Sequence, residues 1–231
     1  MTTSDSKIIA LLPMKANSER VKGKNFKYFG GKPLFKWILE TLISIELIDE
    51  IVINTDAINT IESFGLINNK ITLRDRKKSI CGDDVSMNKV IHDDIKNTNA
   101  DIYIMTHTTN PLLTSNTIKK AIDIYKEKIQ DGYDSVFTVN KIQTRFYDTN
   151  CMPINHNPKI LQKTQDLELW YEENSNLYIF SKESFKKSNA RIGINPWMIE
   201  SEKFESIDID TTQDWKLAEA ILEGSKKIKL L

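Results

Sequence analysis

The sequence lacks the features that mark several large classes of protein. Basic and acidic residues balance at 32 each, so the chain has no charge excess typical of proteins that bind nucleic acid or a membrane surface. No apolar run approaches the roughly 20 residues that a membrane-spanning helix needs, and the polar amino terminus lacks the pattern of a signal peptide. Cys81 and Cys151 form neither a metal-binding spacing nor a disulfide framework. We therefore expect a cytoplasmic protein with reduced thiols.

The two common glycine-rich phosphate loops are also missing. No Gly-x-x-x-x-Gly-Lys-Ser/Thr motif occurs, and no Gly-x-Gly-x-x-Gly follows the first apolar run. Instead, residues 8–12 have the character of a buried strand and lead into a loop with Lys15, Arg20, Lys22 and Lys24. Open α/β folds bind ligands at the carboxyl ends of their strands, and clustered cations there suit a polyphosphate. This placement favours an anion site over a solvated charged loop.

Strand-like apolar runs alternate with helical patterns along the rest of the chain. The pattern predicts further strands at 50–56, 71–73, 101–105, 134–139 and 177–180, and helices from residue 34 and at 58–64, 85–95, 117–129 and 214–223. Such alternation indicates an α/β protein with a mostly parallel sheet and helices on both faces. The length of 231 residues fits one domain, and we find no internal repeat.

Residues 140–175 interrupt this alternation. Polar, aromatic and proline residues intermix there without a helical or strand pattern. An irregular segment of this length inside a compact domain is usually functional. It is interpreted either as an arm that pairs with a second subunit or as a lid over the substrate.

Two acidic residues near the carboxyl terminus form a second candidate site. In the run Ile207-Asp208-Ile209-Asp210, an extended backbone would direct both carboxylates to one side. Two such carboxylates repel each other unless a cation or a proton offsets their charge, and oxygen ligands suit Mg²⁺. The same acidic segment, with Asp214, is equally typical of a helix cap. Spacing alone leaves both interpretations open.

The loop after the first strand resembles the signature of the sugar-acid cytidylyltransferases, the family of acylneuraminate and Kdo CMP-transferases. Four stretches match in order and spacing, namely Pro13-Met14-Lys15, Asn17-Ser18-Glu19-Arg20, Lys24-Asn25 and Gly31-Lys32-Pro33-Leu34. The resemblance extends over essentially the whole chain. It implies a three-layer, nucleotidyltransferase-type (Rossmann-like) α/β fold over residues 1–231, with about 140–175 as a dimerisation arm that also contributes to the neighbouring active site, and hence a homodimer.

In that family the loop wraps CTP. The resemblance implies that Lys15, Asn17, Ser18, Lys24 and Asn25 bind the nucleotide and that Lys15 and Lys24 neutralise its phosphates. Two positions depart from the family pattern. Lys15 stands where arginine is usual, which keeps the charge but loses the bidentate fork, and Glu19 stands at a commonly basic position.

Two further stretches match motifs of the family's nucleotide and metal sites. Asp208-Ile209-Asp210-Thr211 matches an Asp-Ile-Asp-Thr motif, which implies that Asp208 and Asp210 are Mg²⁺ ligands. Arg76, Asp83 and Ser86 fit a spacing that approaches the cytosine and ribose in the family, with Arg74 as a rival for the same role. We expect Arg76 and Ser86 to bind nucleotide.

Residues 106–113 align with the family's Gln-Pro-Thr-Ser-Pro-Leu-Arg, which faces the sugar acid. His107 replaces the glutamine and Leu113 replaces the arginine, so a cation is lost and the acceptor is expected to differ from N-acetylneuraminate. Later stretches resemble the family's pocket-lining runs. The substrate-binding residues that this resemblance implies are His107, Thr109, Asn110, Lys141, Gln143, Gln165, Tyr171 and Asn174.

The resemblance implies transfer of CMP from CTP to the anomeric hydroxyl of a nonulosonic or Kdo-like sugar acid, with release of pyrophosphate. Lys15, Arg20, Lys24 and Asp210 are the expected catalytic residues. Three alternatives remain: a nucleotidyltransferase of different base or sugar-phosphate specificity, a nucleotide-sugar-dependent glycosyltransferase, and a non-catalytic nucleotide-binding protein. The Asp208-Ile209-Asp210 run also fits the Asp-x-Asp pattern of glycosyltransferases. The loop after the first strand is therefore the feature that distinguishes a cytidylyltransferase from a glycosyltransferase.

Overall fold

A seven-stranded sheet with helices packed on it forms the centre of the protein in the computed structural model, which describes residues 6–66 and 68–228. The strands are β1 (Ile8–Leu11), β2 (Tyr28–Phe29), β3 (Lys32–Pro33), β4 (Glu50–Thr55), β5 (Ile71–Asp75), β6 (Ile102–Thr106), β7 (Ser135–Ile142), β8 (Trp170–Phe180) and β9 (Pro196–Glu200). The helices are α1 (Leu34–Ile43), α2 (Ile58–Glu62), α3 (Met87–Asn97), α4 (Ser115–Lys128), α5 (Lys182–Ser188) and α6 (Thr212–Ile228). β2 and β3 form a separate hairpin.

β1 lies near the middle of the main sheet, whose order is β5-β4-β1-β6-β8-β7-β9. It pairs in parallel with β4 on one side and β6 on the other. The parallel register continues to β5, while β8 runs antiparallel to both β6 and β7. The chain therefore adds β4 and β5 on one side of β1 and then β6 on its other side. This reversal of strand order leaves a crevice at the carboxyl ends of β1 and β6. The expectation of a mostly parallel sheet is confirmed.

The alternating side chains of β1 explain why helices cover both faces. Ile8 and Ala10 belong to a buried cluster with residues of α1 and α4, and Ile9 and Leu11 belong to another with residues of α3 and α5. All four residues are buried, as a central strand between two helical layers requires. The predicted helices on both faces are confirmed. Within the described residues, no helix combines the length and the apolar character needed to cross a membrane.

A third buried cluster joins the two ends of the chain. Phe29 of the β2–β3 hairpin packs edge-on against Trp215 of α6, with ring centroids 5.5 Å apart, and Ile209 is fully buried in the same cluster. The hairpin turns through Gly30, whose φ is 54°, and a Cβ there would lie 2.2 Å from a methyl carbon of Leu222. Because α6 sits directly on the hairpin, the segment before α6 is held beside the loop after β1.

The segment 140–175 is less irregular than the sequence pattern predicts. β7 continues to Ile142 and β8 begins at Trp170, and these ends pair antiparallel with each other. The prediction of irregular structure is therefore wrong for 140–142 and 170–175, and the excursion from the sheet spans 143–169. α5 and β9 were not predicted; Pro196 begins β9, a position that proline tolerates at the start of an edge strand.

Candidate active site

A cleft of about 340 Å³ opens at the carboxyl ends of β1, β5 and β6. Its walls are the loop after β1, the segment 107–109 after β6, and Asp210. Its size falls within the range of sites that hold small molecules. The predicted site residues that line it are Lys15, Ser18, Arg20, Lys24, Asn25, Arg76, His107, Thr109 and Asp210.

Asn25 holds the loop after β1 in its conformation. Gly23 has a φ of 59°, a left-handed conformation that glycine adopts readily, and it starts a 3₁₀ turn over Lys24–Phe26. The Asn25 Nδ2 donates to the Lys15 carbonyl oxygen at 2.8 Å, and its Oδ1 accepts from the Thr108 hydroxyl at 2.6 Å. The side chain thereby fastens the loop to the end of β6. Nucleotide contact by Asn25 stays a prediction.

Lys24 and Arg20 converge on one carboxylate. The Lys24 Nζ lies 3.1 Å from the Asp210 Oδ1, and the Arg20 Nη2 lies 2.9 Å from its Oδ2. Lys24 also donates to the Ile209 carbonyl oxygen at 2.5 Å, and the Ile209 amide donates to the Thr109 carbonyl oxygen at 2.8 Å. Lys24 is buried, whereas Arg20 is mostly exposed. These bonds bring the segment before α6 and the loop after β1 into contact at the cleft.

Lys15 is a third cation that lines the cleft. Its ammonium group pairs with Asp83, and this bond holds the pKa of the Asp83 carboxyl below its usual range. Both groups are well exposed, so a bound anion can compete for the lysine at small cost. Lys15, Arg20 and Lys24 together form a cationic wall of the kind that binds a polyphosphate.

Asp208 has a buried carboxylate oxygen without a partner. Its Oδ1 makes no hydrogen bond within the described residues. Burial raises the pKa of Asp208, a hydrogen bond from Thr109 opposes that rise, and the nearby charge of Asp210 adds to it. A cation beside the two carboxylates would relieve both the missing bond and the repulsion.

Two carboxylates are a small but adequate protein contribution to a Mg²⁺ site. Among residues 6–66 and 68–228, no cluster of three or more His, Cys, Asp or Glu side chains could hold a metal ion. Mg²⁺ usually takes one or two protein carboxylates and completes its shell with water and substrate phosphates. Asp208 and Asp210 therefore fit Mg²⁺ better than a metal that needs a full protein cage.

Asp214 caps α6. Its Oδ2 accepts from the Thr211 amide at 2.7 Å and from the Asp210 amide at 3.1 Å, while the Thr211 hydroxyl accepts from the Asp214 amide at 3.2 Å. This reciprocal arrangement is a capping box. Thr211 is thus the N-cap and Asp214 its partner, and the carboxylates of Asp208 and Asp210 are not needed for the cap.

Of the two rival arginines, Arg76 reaches the cleft and Arg74 does not line it among the described residues. Arg76 donates to the Met14 and Asn54 carbonyl oxygens at 3.1 and 2.7 Å, which ties the end of β1 to the end of β4. Arg74 pairs instead with Asp93 at 2.8 Å and with Asp94 at 3.0 Å.

Ser86 and Asn17 lie beside the cleft, on its neighbouring surfaces. Ser86 is the N-cap of α3, where its hydroxyl accepts from the Asn88 amide at 3.3 Å, and it borders a separate hollow that His92 also lines. Asn17 borders a shallow hollow shared with Lys22 and Gly23 on the outside of the loop. Their predicted contacts with nucleotide remain predictions.

His107 contacts Arg191, a neighbour that the sequence did not predict. Its Nε2 lies 3.1 Å from the Nη1 of Arg191, which comes from the segment between α5 and β9. Burial and the adjacent Arg191 charge lower the pKa of His107 to about 3. The imidazole is therefore neutral at physiological pH. Sequence reasoning missed Arg191, since 84 residues separate it from His107 and nothing in its own stretch marks it.

The remaining predicted substrate residues are not in the cleft. Lys141 and Gln143 border a separate hollow near Glu172, and Gln143 donates to the Gln165 carbonyl oxygen at 3.0 Å. Tyr171 lies on the exposed end of β8.

Asn174 and Asn110 are buried and bonded within the protein. The Asn174 Nδ2 donates to the Ser201 hydroxyl at 2.6 Å, and the Asn110 Nδ2 donates to the Ile207 carbonyl oxygen at 3.5 Å. Both side chains therefore brace the segments around the cleft in this chain, and their roles toward substrate stay predictions.

Comparison with known proteins matches the chain to cytidylyltransferases. The family described as cytidylyltransferase matches residues 9–228. A CMP-N,N'-diacetyllegionaminic acid synthase of Legionella pneumophila is 27% identical over 232 residues, which cover 94% of this chain and 97% of that protein.

Two solved structures share the fold. A 4-diphosphocytidyl-2C-methyl-D-erythritol synthase of Anaerococcus prevotii superposes with a TM-score of 0.67 at 15% identity, covering 94% of this chain and 96% of that one. A CMP:2-keto-3-deoxy-manno-octonic acid synthetase in complex with CTP gives 0.65 at 14% identity, covering 95% and 100%. At these identities the two structures establish the fold alone.

Proposed function

The chain belongs to the cytidylyltransferase family, and from that membership we propose that it transfers CMP from CTP to the anomeric hydroxyl of a nonulosonic or Kdo-like sugar acid, releasing pyrophosphate. The observation that carries the proposal is the meeting of the basic loop with Asp210 in one cleft. The diacetyllegionaminic acid synthase, which matches along nearly its full length, supports a sugar-acid acceptor.

In this mechanism, positioning and charge neutralisation provide most of the catalysis. The anomeric hydroxyl gives its proton to solvent as its oxygen attacks the α-phosphorus of CTP in line. The new oxygen–phosphorus bond forms, the bond from the α-phosphorus to the oxygen bridging to the β-phosphorus breaks, and pyrophosphate leaves. Lys15, Arg20 and Lys24 stabilise the charge on the triphosphate and on the leaving pyrophosphate. Lys24 has the largest share, since a buried ammonium is screened less by water than an exposed one.

We propose Mg²⁺ as the metal cofactor and Asp208 and Asp210 as the residues that would hold it. The partnerless Oδ1 of Asp208 supports this choice. When bound, Mg²⁺ would supply neutralisation of the triphosphate and Lewis-acid polarisation of its oxygens. Asp210, at the cleft wall, would also orient Arg20 and Lys24 toward the phosphates.

We place the enzyme in the cytoplasm. Cys81 and Cys151 are both unpaired in the part of the chain that the structure describes. Free thiols are typical of proteins from that reducing compartment.

A homodimer is part of the proposal. The excursion 143–169 exposes large apolar side chains, including Leu161 at 95% and Ile160 at 64%. Clustered apolar exposure of this kind marks an interaction surface. The substrate residues predicted at the base of this arm also lie outside the cleft of their own chain, which agrees with a role at the site of a second subunit.

The double replacement Ile160→Glu with Leu161→Glu is expected to weaken self-association at least about 100-fold, because each buried aliphatic side chain contributes about 1.5–3 kcal/mol. Sedimentation equilibrium over a concentration series measures the effect. Leu217→Glu, a matched change at an exposed leucine of α6, should leave the association unchanged. Wild-type protein that stays monomeric at every concentration contradicts the dimer.

Pyrophosphate release tests the proposed reaction. The assay uses CTP and Mg²⁺ with diacetyllegionaminic, pseudaminic and N-acetylneuraminic acids and Kdo, and it repeats each acid with UTP, ATP and GTP. The proposal predicts release with CTP and at least one acid. A further arm with a sugar phosphate as the acceptor covers the alternative of sugar-phosphate specificity. Release with that phosphate and with none of the acids would overturn the acceptor assignment.

A further inference from the structure

We propose that Arg191 is a positioning residue that fixes the ring of His107 and so limits which acceptor group binds at that end of the cleft. The proposal rests on the proposed function, because it concerns the acceptor of that reaction. The observation that supports it is the 3.1 Å distance between the Arg191 Nη1 and the Nε2 of His107, which lines the cleft.

Arg191 is itself held firmly. Its guanidinium lies over the Tyr178 ring, 3.9 Å from the ring centroid, and its Nη2 lies 3.4 Å from the Glu173 Oε1. Glu173 also accepts from the Tyr178 hydroxyl, so the acid joins the ring and the cation into one unit. The Arg191 amide donates to the Asn88 side chain at 3.3 Å. Stacking below and bonds at its edges leave the guanidinium little freedom to turn.

This contact decides the tautomer of His107. A guanidinium can only donate, so the Nε2 of His107 must accept and the ring proton lies on Nδ1. Burial and three charged groups bear on its protonation: burial, Arg191 and Lys24 oppose a second proton, and Asp210 favours one. The opposing influences are the larger, so the pKa of His107 is lowered to about 3 and the ring is neutral.

The Nδ1–H is then the only N–H donor of the His107 ring, and His107 lines the cleft. Within the described residues it has no acceptor of its own, although the ring lines the cleft. A glutamine at this position could offer either a donor or an acceptor, whereas His107 held by Arg191 offers a donor alone. The acceptor must therefore present an oxygen with a free lone pair, either its carboxylate or an acyl carbonyl.

Arg191 also supplies a cation at this end of the cleft. Leu113, where the family pattern has arginine, is 1% exposed and packed in the core. Arg191 brings positive charge close to His107 from a different element, and Glu173 offsets part of that charge. The arginine of the family pattern is thus absent at position 113, and Arg191 places a positive charge beside His107 from a different element.

The tautomer is tested without substrate. Long-range ¹H–¹⁵N spectra of histidine-labelled protein report which ring nitrogen carries the proton, and loss of a signal in His107→Gln assigns it. Wild-type protein should show the Nδ1–H form. Arg191→Gln should move His107 toward a mixture of tautomers, and Lys187→Gln, an exposed charge loss on α5, should not. An unchanged His107 spectrum in Arg191→Gln overturns the proposal.

Steady-state kinetics test whether Arg191 affects how the enzyme uses its acceptor. Arg191→Gln should lower kcat/KM for the acceptor about tenfold, the equivalent of one misaligned hydrogen bond, and change the Kd for CTP less than about twofold. Arg191→Lys, which keeps the charge and loses the fork, should recover only part of the loss. An equal loss with an N-acylated acid and with Kdo identifies the carboxylate as the bound group. A loss confined to the acylated acid identifies the acyl oxygen.

A double-mutant cycle shows whether Arg191 acts through His107. In a His107→Gln background, Arg191→Gln should cost less than about twofold in acceptor kcat/KM, because the contact no longer exists. Losses that multiply in the double variant mean that Arg191 acts independently, and the proposal falls. Failure of the proposed function looks different: no CTP-dependent pyrophosphate is released by any variant, while the histidine spectra still report on Arg191.

Discussion

Asp210→Asn is expected to lower kcat about 10³-fold in the presence of Mg²⁺, since a metal's charge stabilisation is worth several kcal/mol and each 1.36 kcal/mol is a factor of ten. The change keeps the size of the side chain but removes the charge that Lys24 and Arg20 contact at 3.1 and 2.9 Å. It also removes one of the two proposed Mg²⁺ ligands. Initial rates over a Mg²⁺ series measure both effects.

The variant also separates the two roles of Asp210. If the carboxylate binds Mg²⁺, the Mg²⁺ concentration for half-maximal rate should rise, and Asp208→Asn should raise it too. Asp123→Asn, an exposed carboxylate on α4, serves as the matched control and should behave as wild type. Full activity of Asp210→Asn at ordinary Mg²⁺ concentrations would exclude the metal assignment.

Lys24→Gln is expected to reduce kcat/KM for CTP about 10²- to 10³-fold, the range seen when one preorganised donor to a developing charge is removed. Lys24 is a buried cation of the cleft, 8% exposed, and its ammonium is fixed by the Ile209 carbonyl oxygen and Asp210. Its position therefore costs no reorganisation when charge moves to the pyrophosphate. Steady-state kinetics with CTP as the varied substrate measure the loss.

The matched control for Lys24 lies in the same loop. Lys22 is exposed and borders the hollow outside the loop, so Lys22→Gln should stay within about twofold of wild type. Because Lys24 also satisfies a buried carbonyl, thermal unfolding accompanies the kinetics, and Lys24→Arg provides a variant that keeps the charge. Equal losses for Lys22→Gln and Lys24→Gln would mean that the loop acts only through its total charge.

The centre of the fold could be predicted because its signals are local. Residues 8–11 are apolar without interruption, and β1 is buried on both faces as that pattern indicates. The cations that follow are a few residues away along the chain, so their arrival at the carboxyl end of β1 needs no knowledge of distant contacts. Lys15, Arg20 and Lys24 all line the cleft as a result.

The projecting end of the β7–β8 ladder was not predicted because side chains on both of its faces are exposed. Glu172 and Glu173 at the start of β8 are exposed, as is Lys141 on β7, and they give the segment the composition of a loop. Antiparallel strands that project beyond a sheet can be built from such residues, since their backbone bonds do not depend on apolar side chains. The register is then visible only in three dimensions.

The pairing of Lys24 with Asp210 spans 186 residues and depends on how α6 packs on the β2–β3 hairpin. Spacing alone left metal binding and helix capping equally open, and only the structure assigns the cap to Thr211 and Asp214. Arg191 carries no signal in its own stretch of sequence. Long-range packing decides these three points, and a single sequence contains no direct measure of it.

The most direct test of the central claim follows one oxygen atom. A sugar acid labelled with ¹⁸O at its anomeric hydroxyl is incubated with CTP, Mg²⁺ and enzyme, and the products are analysed by mass spectrometry. Attack of that hydroxyl on the α-phosphorus predicts that the label stays in the CMP-sugar, in the oxygen that bridges sugar and phosphorus, and that pyrophosphate is unlabelled. Labelled pyrophosphate, or CMP-sugar without the label, would contradict the proposed reaction.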